Sequence, residues 1–79
     1  MKDRNGREHE IGVMGKELHD HWKRNQPKLY RELEKSGELW PILESEGPRM
    51  DEEIIEMMQN GMSEDQAKEV VRAEIYETE

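Results

Sequence analysis

Seven large apolar side chains of this 79-residue sequence fall between Lys28 and Leu43, in two sets divided by Ser36-Gly37. Leu29, Tyr30 and Leu33 precede the glycine, and Leu39, Trp40, Ile42 and Leu43 follow it. Apolar residues three and four positions apart share one side of a helix, whereas a strand would alternate them. A glycine between two such sets supplies the left-handed cap that ends the first helix. The stretch therefore reads as a helical hairpin. A chain this short must assemble the rest of its core around it.

The flanking segments follow the same period. Residues 1–10 show none and are expected as a flexible amino-terminal arm. Ile11, Met14, Leu18 and Trp22 form a stripe, predicting a helix over 13–24 whose first turn is weakened by Gly12 and Gly15. Pro27 suits the first position of a helix over 27–36. The next helix is expected over 38–46, ended by Gly47-Pro48. Asp51 reads as the N-cap of a helix over 52–60, with Ile54, Ile55 and Met58 inward and Gly61 after it. Ser63 and Gln66 make a capping box opening a helix over 64–77, with Ala67, Val70, Val71 and Ile75 as its stripe. The expected fold is all-α: a compact bundle of four to five short helices, one domain over 11–79.

That core is thin. Apolar residues make up 32% of the chain, there is no Phe, and six of them are Met, a flexible gap-filler. A protein partner or a second copy, as in a homodimer, would complete such a core. Charge is uneven: residues 1–35 hold nine basic and seven acidic side chains, residues 36–79 three and thirteen. The second half repels nucleic acid, so only the first could meet a phosphate backbone. With no cysteine there are no disulfides, thiolate nucleophiles or Cys-based metal sites. No stretch is apolar enough to span a membrane, and the polar amino terminus is unlike a secretory signal, so a cytoplasmic protein is expected.

The order of these signals resembles the TnpV family, small proteins encoded on bacterial transposons and conjugative elements. The resemblance rests on Gly12 and Gly15, the basic-polar helix after them, Asn25-Gln26-Pro27-Lys28-Leu29-Tyr30, Leu33, Ser36-Gly37-Glu38-Leu39-Trp40 and Leu43. Glu53 to Glu74 fits more loosely. The chain is shorter at its amino terminus than that pattern and more acidic in its last helix. The resemblance implies a helical fold and an association with mobile DNA. It carries over no catalytic or binding residue.

No residue set supports catalysis. His19 and His21 are two positions apart, which on a helix points them to different sides, so they cannot share a metal ion. His21 is expected to pack beside Trp22, and His19 to be solvated. The carboxylates around 52–56 lack the dry pocket that general acid–base work requires. The sequence thus predicts a non-enzymatic protein with no cofactor and no metal. Two binding surfaces remain. Glu52, Glu53, Glu56 and Met57 form an acidic helical surface suited to a protein partner, including a basic DNA-handling protein. Lys16, Lys23, Arg24, Lys28 and Arg31 surround the turn at 25–27, and a DNA-binding regulator would use them. The protein-interaction module is the first reading and the DNA-binding regulator the alternative.

Overall fold

The computed structural model describes residues 1–77, which hold four helices and no strand. They are α1 (Gly12–Asn25), α2 (Pro27–Ser36), α3 (Leu39–Gln59) and α4 (Glu64–Glu77). Pro27 opens α2, and Gly37, at φ +80°, closes it. There the N–H of Gly37 donates to the Glu34 carbonyl and that of Glu38 to the Leu33 carbonyl, satisfying two carbonyls the helix end leaves open. The end of α3 repeats the motif: Gly61, at φ +96°, donates to Met58 and Met62 donates to Met57. Gly37 and Gly61 are the turns that let α3 fold back on its neighbours.

The core takes a stripe from each of three helices. Ile11, at the head of α1, joins Met14 and Leu18; α3 supplies Leu39, Leu43, Met50 and Ile54; α4 supplies Ala67, Val71 and Ile75. Helix α2 has no fully buried residue, and its Tyr30 and Leu33 pack against the edge of this cluster. Val70, expected on the α4 stripe, is exposed.

The two helices expected over 38–46 and 52–60 are one, because Gly47-Pro48 lies inside α3 instead of ending a helix. A proline in a helix interior costs about 3 kcal/mol, since its ring removes an N–H and crowds a carbonyl. Here both flanks of the pair are anchored: Leu43 and Met50 are each buried in the core. Gly47 itself is the crossing point of α1 and α3. A Cβ built on it would lie 1.7 Å from the Ile11 carbonyl oxygen and 3.0 Å from the Gly15 Cα. The glycine is there so that two backbones can meet.

Continuity changes which side of α3 faces in. The buried sequence Leu39, Leu43, Gly47, Met50, Ile54 steps by three and four residues along one unbroken helix. Ile55 and Met58, expected inside, lie off that stripe and are exposed.

Asp51 also changes role. It does not begin a helix; its carboxylate accepts the N–H groups of Val13 and Met14, each at 3.0 Å. It thereby caps α1 from the side, where the N-cap residue Ile11 has no side chain able to accept. Gly12, at φ +71°, leaves room for it, since a Cβ there would meet the Asp51 Oδ2 at 2.0 Å. Helix α4 is capped by its own residues: Gln66 N–H donates to Ser63 Oγ at 3.2 Å, and Ser63 N–H to Gln66 Oε1 at 3.4 Å. Arg72 then ties α4 to α1 through both carboxylate oxygens of Glu17, at 2.8 and 2.7 Å.

Candidate interaction surface

Residues 1–10, expected as a flexible arm, are folded against the α2–α3 corner. Asp3 turns the chain by accepting the N–H groups of Asn5 and Arg7, Gly6 takes φ +80°, and a bridge pairs Lys2 with Glu8. The anchor is His9. Its ring stacks on Trp40 at 4.6 Å, Nε2 reaches the Asp3 carboxylate at 2.8 Å, and Nδ1 meets the Glu44 carboxylate. A carboxylate can only accept, so holding both rings nitrogens as donors favours the imidazolium form. Asp3 first and Glu44 second raise the pKa of His9 above the ordinary histidine value. The same contact holds the Asp3 carboxyl below its ordinary value.

Behind Trp40 lies His19, buried where the sequence suggested a solvated ring. It stacks on Trp40 at 5.5 Å, meets Tyr30 edge-on, and places Nε2 3.2 Å from the Tyr30 hydroxyl. Its Nδ1 lies 3.1 Å from the Asp20 carboxylate, which can only accept, so Nδ1 is the donor of that contact. Burial, then Glu34, raises the pKa of Tyr30. Two histidines, a tryptophan and a tyrosine thus form a packed polar-aromatic layer joining the amino-terminal segment, α1, α2 and α3. Among the described residues no three His, Asp or Glu side chains are grouped to hold a metal ion. Among the same residues no helix is long and apolar enough to cross a membrane.

The acidic candidates divide along α3. Glu52 and Glu56 are exposed, four residues apart on one face, with no ion-pair partner among the described residues. Glu53 instead accepts Arg49 at 2.7 Å, and Arg49 also binds Glu46 at 2.6 Å. Met57 is packed on the core. The free part of this surface is therefore Glu52 and Glu56, with Ile55 beside them, a residue the sequence pattern placed inside.

The basic candidates are all exposed but sit in different surroundings. Lys16 borders a groove with Glu10, Asp51 and Glu52. Lys23 borders a cleft with Lys2, Arg4, Asp3 and Glu34 above the aromatic layer. Arg24 lies in a depression with Glu17, Asp20 and Arg72. Lys16, Lys23 and Arg24 line three different depressions, and carboxylates border each of them. Compared with family models, curated proteins and solved structures, the chain matches none.

Proposed function

We propose that this protein is a non-enzymatic accessory protein of a mobile genetic element, acting as a protein-interaction module through the outward face of α3. The mobile-element role rests on the resemblance to the TnpV pattern. The binding mode rests on one observation: Glu52 and Glu56 stand beside the exposed Ile55 on a helix whose other side is locked into the core. Burying a large apolar side chain removes about 1.5–3 kcal/mol of hydration cost, so an exposed isoleucine beside two unpaired carboxylates suits a partner that is basic and partly apolar. A basic DNA-handling protein has that chemistry.

The DNA-binding alternative is served less well. Nucleic-acid affinity grows with the number of phosphates neutralised together, and carboxylates border the positions of Lys16, Lys23 and Arg24. Amide NMR of labelled protein, titrated at low salt with duplex DNA and separately with a lysine-rich peptide, tests the two readings. The peptide is expected to shift Glu52, Ile55 and Glu56, and a Glu52→Lys/Glu56→Lys variant to abolish those shifts while Glu53→Lys does not. Shifts confined to residues 16–35, caused by DNA and reversed by salt, would instead establish the regulator.

A further inference from the structure

The amino-terminal segment, the start of α1 and the middle of α3 line a groove of about 540 Å³, with Met1, Glu8, His9 and Glu10 contributed by the segment, Val13 by α1, and Pro48 and Ile55 by α3. Val13 is 57% exposed and Ile55 55%, the two most exposed of the large hydrophobics among the described residues. Pro48, Glu52 and Ile55 share one face of α3, at successive helical turns. The groove exists because the backbones cross at Gly47 and because Asp51 draws the head of α1 against α3. Carboxylates border its apolar walls: Glu10 and Glu52 line it, Glu56 stands one turn beyond Glu52, and Glu8 also lines it but is paired with the Met1 ammonium. Asp51 lies between them, engaged with the α1 N–H groups.

Resting on the acidic-surface reading above, we propose that this groove seats a basic amphipathic helix of a partner protein. Apolar side chains one turn apart would cover Val13, Pro48 and Ile55, and flanking Lys or Arg would meet Glu10, Glu52 and Glu56. A helix is the form that presents an apolar stripe with cations beside it, and no strand among the described residues offers an edge for an extended peptide. A second copy is disfavoured by charge: it would bring the same carboxylate rim against itself in a chain of net charge −8. Nucleic acid is disfavoured for the same reason. Lys16, one turn after Val13, marks the side of the groove that the partner's cations avoid and so orients the bound helix.

The test uses two peptides of about 14 residues, long enough for several helical turns: one amphipathic and built of leucine and lysine, one with the leucines replaced by glutamine. Labelled full-length protein is titrated with each and followed by amide NMR. The leucine–lysine peptide is expected to shift Val13, Lys16, Glu52 and Ile55 saturably. The glutamine–lysine peptide should bind about tenfold more weakly, as should the leucine–lysine peptide to Val13→Ser or Ile55→Ser. Both serine variants remove exposed side chains, so their circular dichroism and melting should match the parent.

Suppose Glu52→Lys/Glu56→Lys abolishes binding while the serine variants bind like the parent. The acidic surface then stands and the groove is overturned. Shifts at the groove that depend on protein concentration alone would assign it to a second copy and overturn the partner helix. Shifts spread over every acidic residue and unchanged by any variant would overturn both readings.

Discussion

Helices α1 and α4 start in opposite ways. The amino end of α4 is closed within four residues by Ser63 and Gln66, which exchange hydrogen bonds with each other's backbone. The amino end of α1 has no such residues and borrows Asp51, 37 positions away from Met14. One start is a property of a peptide. The other forms only when α3 is already packed across α1, so it couples the order of α1 to the integrity of the whole bundle. The lesson is that orphan N–H groups impose the same demand in both places, while the nearest acceptor in space need not be nearest in sequence.

The comparison breaks most severely at the crossing that holds Asp51 in place. Helix propensity alone predicts that Gly47→Ala stabilises α3 by up to about 1 kcal/mol. A Cβ 1.7 Å from a backbone oxygen predicts the opposite sign. Overpacking of this kind costs about 3 kcal/mol, a large fraction of what a domain this small has to lose. Chemical denaturation followed by circular dichroism should show a lowered midpoint, and an unchanged or raised midpoint would show that the backbones can part cheaply.

Next comes the borrowed cap. Asp51→Ala leaves the Val13 and Met14 N–H groups without their acceptor and should cost about 2 kcal/mol. Hydrogen exchange should then accelerate across the start of α1 while α4 is little changed. The local cap is expected to be worth less: Ser63→Ala should cost about 1 kcal/mol, with faster exchange limited to the first turn of α4. Equal costs for the two caps, or α1 protection surviving Asp51→Ala, would dissolve the distinction drawn here.

The smallest effect concerns the amino-terminal segment. Because the folded pKa of His9 is raised, its contribution is fully present below the unfolded histidine pKa and is lost as pH rises through the folded value. Asp3, whose folded pKa is lowered, contributes above its unfolded value and loses that contribution as pH falls through the folded one. Docking of residues 1–10 is therefore tightest between those limits and loosens on the alkaline side first through His9. The Trp40 indole NMR signal should follow both transitions, and His9→Gln should remove the alkaline one. A Trp40 signal flat across both limits would show that the stack does not depend on these charges.

How much was readable follows from how far each signal reaches. Pro27, Gly37, Gly61 and the Ser63–Gln66 box act on their own backbone, and each is found at the helix end it was read to mark. Gly47-Pro48 carries the same local signal, yet there the chain stays helical because α1 packs over it. That single reversal moved Ile55 from the core to the surface and Asp51 from one helix start to another. The candidate surface was legible in the same partial way: Glu52 and Glu56 could be named from composition and spacing, whereas Glu53 and Met57 are taken up by Arg49 and the core. Ile55 carried a readable signal only if the helical period was continued through the proline, whereas Val13 lies off the stripe of Ile11, Met14, Leu18 and Trp22 read for the first helix. His9 carried none, since a carboxylate from the amino-terminal turn and a carboxylate and a tryptophan from α3 make its environment.

By itself the sequence determined that the chain is helical, where three of its turns fall and which half bears the excess negative charge. These depend on backbone conformation and composition, which act within a few residues. The tertiary structure decided that α3 runs unbroken, that Asp51 serves α1, that His19 is buried, and which carboxylates remain unpaired. The first two outcomes turn on two backbones meeting at Gly47 and Gly15, and the burial of His19 on Tyr30 and Trp40, contacts between distant segments that exist only once those are packed together.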